Sequence, residues 1–261
     1  MSERYLRDLL DMAPSDVLIV TDYDGTIAPI VSDPARAVPV PGSAEHLASL
    51  ATLARGVAVL SGRSEESLRA FLPIRGVALI GENGIEALTS DERAHLRELT
   101  ARATAAVDRW PGVVVEAKPA SLGVHFRSQP EVAAELEQIL AKLIAGSGLM
   151  MVANRMVFDI QSRRGSKVRT MCRLMREMKP AAVLYAGDSR DDAHVHRCLK
   201  TARVARLCIQ IRSNEVPAGL FHNADLVLDG PAEMASFLGR LVRRWSARPS
   251  GPPPIPETVA R

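Results

Sequence analysis

Asp22-Tyr23-Asp24-Gly25-Thr26 closes the apolar run Val17-Leu18-Ile19-Val20, and this junction constrains the chain more than any other stretch. The run predicts a buried strand. Ending such a strand in carboxylates is costly, because side chains at i and i+2 of an extended segment point the same way and repel. A divalent cation is the natural compensation, and one carboxylate could then also act as a nucleophile toward phosphorus. The competing interpretation is an ordinary Asx/Gly turn, and the residues farther along weigh against it.

Strand and helix patterns alternate on either side of a segment with a different rhythm. Val17–Val20, Val57–Leu60 and Val77–Ile80 are short Val/Ile/Leu runs expected to form parallel strands. Ser43–Ala54, with Ser43 as N-cap, and Ser64–Leu72, stopped by Pro73, are the helices expected between them. The texture returns with helix Lys167–Met178, strands Ala181–Ala186, Val204–Ile209 and Leu226–Leu228, and helix Glu233–Trp245. Strand–helix–strand order predicts an α/β fold with a doubly wound parallel sheet. The middle segment reads helix Asp91–Trp110, strands Val113–Ala117 and Leu122–Arg127, helix Glu131–Ala145, then strands Leu149–Ala153 and Met156–Ile160 hinged at Asn154-Arg155. The expectation is a discontinuous catalytic core, residues 1–88 and 161–245, with an α+β cap inserted at 89–160 and a disordered Pro-rich tail at 246–261.

Ligands of open α/β sheets bind beyond the carboxyl ends of the strands, and four such positions carry reactive or anion-binding residues. They are Asp22/Asp24; Ser61-Gly62-Arg63, with a hydroxyl, N–H groups and a helix N-terminus that could hold phosphate; Lys167, at the start of a helix; and Gly187-Asp188-Ser189-Arg190-Asp191-Asp192, a second acidic cluster. Each has a bland alternative alone, as cap, solvated lysine or turn. Their order along the chain makes the set point to phosphate chemistry.

The D-x-D-G-T motif after a hydrophobic strand resembles the haloacid dehalogenase superfamily of phosphotransferases, and the closer likeness is to the trehalose-6-phosphate phosphatases. Asp22 through Ile30, with Pro29 inside it, is similar to that family's opening motif, and Ser61-Gly62-Arg63 to its second. Gly81-Glu82-Asn83-Gly84 resembles the Gly-x-His/Asn-Gly loop. Glu116-x-Lys118-x-x-Ser121-x-x-x-His125-Phe126-Arg127 resembles E-x-K-x-x-S-x-x-x-H-Y-R, and Asp159-Ile160 ahead of Lys167 resembles the linker to the catalytic lysine. The resemblance implies Asp22 as nucleophile and Asp24 as general acid/base. It implies Mg²⁺ held by Asp22, the Asp24 carbonyl and Asp188 with support from Asp192, and phosphate held by Ser61, Gly62 and Lys167. It implies sugar contacts from Arg63, Asn83, Glu116, Lys118, Ser121, His125, Arg127 and Asp159. Departures from the pattern are Ser189 and Ala193 where the family carries carboxylates, and Asp159 in place of Glu.

The implied function is Mg²⁺-dependent hydrolysis of trehalose 6-phosphate through an aspartyl-phosphate. The alternatives are a phosphatase for another disaccharide or pseudo-disaccharide phosphate, a phosphotransferase or mutase, and a non-catalytic sugar-phosphate sensor. A net charge of +3 with dispersed basic residues argues against nucleic acid as partner. No apolar stretch approaches a bilayer span, and the start of the chain does not resemble a signal peptide, so a cytoplasmic protein without membrane association is expected, a monomer or weak homo-oligomer. Cys172, Cys198 and Cys208 lack metal-ligand spacing and are expected to be reduced core thiols. His194-x-His196 is not expected to bind metal, since i and i+2 face apart on a helix. His46, His95 and His222 are expected to be surface or packing residues.

Overall fold

The computed structural model describes residues 9–31, 33, 36–85, 89–118, 120–154, 156–162, 166–212 and 224–247. Arg155, Gly165, His222 and the Pro-rich stretch after residue 247 therefore lie outside the described residues. A six-stranded sheet has the order β10-β9-β8-β1-β2-β3. Its strands are β1 (Val17–Thr21), β2 (Gly56–Leu60), β3 (Val77–Ile80), β8 (Ala182–Gly187), β9 (Ala205–Ile211) and β10 (Leu226–Leu228), and every pairing is parallel.

Alternation along β1 explains why its whole length is buried. Val17 and Ile19 face a core that includes Leu47 and Leu50 of α1 (Ser43–Ala51), Leu68 of α2 (Glu65–Phe71), and Met234, Phe237, Leu238 and Leu241 of the closing helix, Gly230–Ser246. Leu18 and Val20 face the opposite core, made with Met171 and Leu174 of the helix Lys167–Met178 and Val195 and Leu199 of the helix Arg190–Thr201. A strand covered by helices on both faces buries each side chain in turn. The helices are therefore the two outer layers of a doubly wound sheet, as expected from the sequence.

A second, four-stranded antiparallel sheet has the order β4-β5-β7-β6, from β4 (Val114–Ala117), β5 (Ser121–His125), β6 (Leu149–Asn154) and β7 (Val157–Ser162). Two helices, α3 (Ser90–Val107) and α4 (Ala133–Ile144), pack on it through Leu96, Leu99, Ala103, Leu136 and Leu140, against Leu122, Val124, Phe158 and Ile160. The remaining helices are α5 (Lys167–Met178), α6 (Arg190–Thr201) and α7 (Gly230–Ser246). Element boundaries shift by a few residues from the sequence expectation, and two shifts have clear causes. Ser43 is the first residue of α1 rather than its cap, because Gly42 takes the N-cap position at φ 88°. Strand β5 ends at His125, so Arg127 lies beyond the strand and does not share its pleat.

Candidate active site

The sheet reverses its winding between β1 and β8: β2 and β3 follow on one side, β9 and β10 on the other. That switch point opens a crevice at the carboxyl ends of the strands. Asp22 leaves β1 there, its N–H bonded to the Ala186 carbonyl at 2.8 Å, and Asp188 leaves β8 beside it. Both neighbouring glycines are required by close approach. A Cβ on Gly25, which has φ 75°, would lie 2.1 Å from Oδ2 of Asp188, and one on Gly187 would lie 2.1 Å from Cγ of Asp192. The glycines of both motifs thus make room for carboxylates.

Asp22, Asp188 and Asp192 are all buried, and each offers an oxygen within 4.8 Å of the others. Lys167 Nζ sits between two of them, 2.8 Å from Asp22 Oδ1 and 2.9 Å from Asp192 Oδ1. Burial first, then Asp192, push the Asp22 carboxyl up to about 7 although Lys167 opposes the rise. Asp188 is raised well above its ordinary value, chiefly by burial and then by Asp22. Asp192 goes the other way: burial would raise it, but Lys167, Ser189 and Tyr185 outweigh that and hold it below the usual range. Its oxygens accept from Lys167, from Tyr185 Oη at 2.7 Å, from the N–H groups of Asp188 and Ser189, and from Ser189 Oγ at 2.6 Å. One ammonium among three buried carboxylates leaves negative charge uncompensated. Buried carboxylates converging in this way suit a hard divalent cation, with Asp22 and Asp188 as ligands and Asp192, already saturated with hydrogen bonds, as their support.

This imbalance predicts a pH dependence. An acid whose folded value lies above its unfolded one binds more protons folded than unfolded, so stability falls as pH rises from 3.8 through about 7. The thermal unfolding midpoint of the protein freed of divalent metal is expected to drop across that window, and added divalent cation should remove most of the drop. A flat metal-free profile would mean that Asp22 is not strained by burial.

Asp24 belongs to a different pairing. Arg63 grips it in a two-pronged fork, Nε to Oδ2 at 2.7 Å and Nη2 to Oδ1 at 2.8 Å, while the guanidinium carbon lies 5.1 Å from the Tyr23 ring centre and 5.2 Å from that of Phe71. Ser61 is buried and its Oγ accepts the Arg63 N–H at 3.2 Å. The helix N-terminus expected to assist at Ser61 does not reach it. Helix α2 starts at Glu65, its cap Ser64 already accepts the Ser67 N–H, and its first turn carries Glu65 and Glu66, which disfavour an anion.

The second sheet supplies the facing wall of a cleft of about 910 Å³ lined by Asp22, Asp24, Ser61, Gly62, Arg63, Asn83, Glu116, Lys118, Ser121, His125, Arg127, Asp159, Lys167 and Asp188. Every residue expected to take part in catalysis or in binding metal, phosphate or sugar therefore lines this cleft, apart from Asp192, which is fully buried behind Asp22 and Lys167. Lys118 Nζ is 3.2 Å from Asp159 Oδ1 and 3.8 Å from Glu116 Oε2, and His125 Nε2 is 2.8 Å from the same Glu116 oxygen. The His125 ring holds the Glu116 carboxyl below its usual range. Burial would lower Lys118, but Asp159 and Glu116 hold it above its ordinary value. Asp159, shorter than Glu, is matched by the reach of Lys118.

Asn83 was expected from the sequence, but the ties its loop makes and the parts played by Glu82, Ser189, Tyr185 and Gln161 were not foreseen. Glu82 and Asn83 are buried at φ 52° and 55°, a conformation that non-glycine residues adopt at a cost. Glu82 accepts from Ser121 Oγ at 3.1 Å, and Asn83 Nδ2 donates to Gln161 Oε1 at 2.9 Å, so this loop ties the two sheets. Ser189, which stands where the resembled family carries a carboxylate, caps α6 in a reciprocal box with Asp192. Tyr185 and Gln161 had no sequence signal beyond their strand pattern. His194 and His196 part company as expected for i and i+2: the first is exposed, and the second is buried edge-on to Tyr185.

The sequence profile of the trehalose-phosphatase family matches residues 20–229. The chain belongs to the trehalose-phosphatase family. Relatives of this trehalose-phosphatase family member include the trehalose-phosphate phosphatase of Mycobacterium marinum, 28% identical over 247 residues that cover 86% of this chain and 61% of the relative. The bifunctional trehalose-6-phosphate synthase/phosphatase of Thermoproteus tenax is 29% identical over 211 residues, covering 72% of this chain and 29% of its own. The chain thus spans about three fifths, or less, of the length of these relatives. Among solved structures, the C-terminal domain of Candida albicans trehalose-6-phosphate phosphatase superposes with a TM-score of 0.73 at 18% identity, covering 93% of this chain and 96% of that one. Sucrose-phosphatase from Synechocystis, solved with sucrose and phosphate, gives 0.54 at 17%, covering 88% and 98%. At these identities the likeness establishes the fold. Among the described residues no helix is long and apolar enough to cross a membrane.

Proposed function

We propose that this chain hydrolyses trehalose 6-phosphate to trehalose and phosphate, with Asp22 as nucleophile and Mg²⁺ as cofactor. The observation that carries the reading is the position of Asp22, buried against Lys167 at the floor of a cleft whose opposite wall is the Glu116–Lys118–His125–Asp159 cluster. Bound between Asp22 and Asp188, the cation would neutralise a phosphate dianion that a bare carboxylate repels. With Oδ1 of Asp22 held by Lys167, Oδ2 is the oxygen that would attack phosphorus in this reading, forming an aspartyl-phosphate as the sugar oxygen departs. Lys167 and Ser61 then meet the nonbridging oxygens.

Asp24 protonates the departing sugar oxygen and later takes a proton from water. Arg63 occupies both oxygens of Asp24 in this conformation; exchange of a proton with the departing sugar oxygen requires the fork to open. Glu116, whose charge Arg63 also feels across the cleft, is the group to which the guanidinium would turn. Arg63→Lys, which keeps the charge but loses the fork, is expected to lower kcat by roughly ten- to a hundredfold with a smaller change in KM. Equal losses in kcat/KM and kcat for Arg63→Lys and Arg63→Ala would place Arg63 on phosphate instead.

Residues 89–160 act in this reading as a cap over a core of 1–88 and 161–245, placing Lys118, Asp159, Glu116 and His125 on the sugar hydroxyls. Lys118→Ala is expected to raise KM about tenfold or more, the loss of a charged hydrogen bond of about 1.5–3 kcal/mol. The deciding assay measures phosphate release with Mg²⁺ from trehalose 6-phosphate beside sucrose 6-phosphate and glucose 6-phosphate. Selectivity for the first supports the proposal. Equal rates on glucose 6-phosphate would show that the second sugar is not read, and release from none would overturn the substrate.

A further inference from the structure

Cys172 and Cys198 lie far from each other in sequence but face each other across the packed helices α5 and α6, with their sulfurs 3.7 Å apart. Both are half-buried and free, whereas Cys208 is fully buried. The expectation of three core thiols therefore holds for Cys208 alone. The helices are held together beneath the pair by Met171, Leu174, Val195 and Leu199, so the approach of the two sulfurs is a property of the packed fold.

We propose that Cys172 and Cys198 are a redox-reactive pair that closes to an intramolecular disulfide under a peroxide. The gap must shrink to the roughly 2.0 Å of a disulfide, a movement within reach of a change in side-chain torsion and a small slide of the helices. The Cys172 thiolate attacks one peroxide oxygen, breaking the O–O bond and becoming a sulfenic acid while the other oxygen leaves as hydroxide and is protonated to water. The Cys198 sulfur then attacks the Cys172 sulfur, displacing the second oxygen as water and completing the S–S bond. Two thiols are oxidised and one peroxide is reduced to two waters. The order is assigned because burial, and then the Cys172 sulfur beside it, raise the Cys198 thiol and keep it protonated.

The bond would staple together the two helices whose first turns carry Lys167 and Asp192. It does not depend on the phosphatase reading, because the pair lies outside the cleft-lining residues.

The test is made on the full chain. Reduced protein is freed of reductant, treated with hydrogen peroxide, then alkylated, and its intact mass and peptide map are recorded. The expected result is loss of two hydrogens, one cross-linked peptide pair joining Cys172 to Cys198, an intact Cys208 thiol, and full reversal by dithiothreitol. In Cys198→Ser the expected product is a sulfenic acid at Cys172 that a dione probe traps, with no cross-link. The proposal is overturned if the parent accumulates sulfinic acid at either position without a cross-link, or if the cross-links join separate molecules. It is also overturned if both thiols remain alkylatable under peroxide that oxidises a free cysteine standard.

Discussion

An Asp22→Asn chain should release phosphate at least about a thousandfold more slowly than its parent, and yet unfold at a higher temperature at pH 8 without divalent metal. The amide keeps the shape of the carboxylate and can still accept from Lys167 at Oδ1, 2.8 Å away, but it cannot attack phosphorus. The gain in stability comes from the charge that is lost. Asp22 shares its burial with Asp188 and Asp192, against the single ammonium of Lys167. Its carboxyl sits at about 7, so at pH 8 the parent carries an ionised group that its surroundings resist. Removing it relieves about 1 kcal/mol, worth roughly 2–4 °C in a chain of this size. Divalent cation should stabilise the parent more than the variant and narrow the difference. Calorimetry at pH 8 with and without Mg²⁺, beside a phosphate-release assay, reads both halves. A variant that loses activity and stability together would show that Asp22 costs the resting fold nothing.

The same contrast separates what the sequence made legible from what it did not. The parallel sheet could be read from Val17–Val20, Val57–Leu60 and Val77–Ile80, because runs rich in Val, Ile and Leu fit strands covered by helices, even though Ala78 of the edge strand β3 is exposed. The carboxylates could be read because a carboxylate pair ending such a strand is expensive without a purpose. Residues acting through another residue left no trace. Tyr185 is one more apolar-looking position inside β8, although its hydroxyl bonds Asp192. Glu82 gains its meaning only from a backbone at φ 52° and from Ser121 on the other sheet. The two-pronged grip of Arg63 on Asp24 joins residues 39 positions apart, a separation that no local pattern encodes. The helix after Ser61 starts where the sequence puts it, but its N-terminus is not offered to phosphate for a local reason: Ser64 caps it and Glu65 and Glu66 fill its first turn.

Lys167→Met should be the most destabilising single change in the site, and its loss should be recovered in part by metal. Methionine approximates the length and bulk of the lysine stem but brings no charge. Asp22 and Asp192 then lose the ammonium at 2.8 and 2.9 Å that is their common counterion, and Asp188 loses a nearby positive charge that favours its ionised form. Removing one partner from a buried ion pair leaves the other charged and desolvated, at a cost of about 3–5 kcal/mol. Protonation limits that cost. Without Lys167 the Asp22 carboxyl should rise above its present value of about 7, so the variant should be nearest its parent in stability at pH 5 and fall behind steadily to pH 8. A divalent cation between Asp22 and Asp188 supplies the missing positive charge from the other side, so the midpoint should climb with cation concentration more steeply in Lys167→Met than in the parent. Activity should not return with it, because the nonbridging phosphate oxygens would still lack the ammonium that neutralises them. Stability recovered by metal without recovery of turnover separates the two duties of Lys167, holding the carboxylates together at rest and holding phosphate during reaction. Recovery of both together would mean that the lysine serves only the fold.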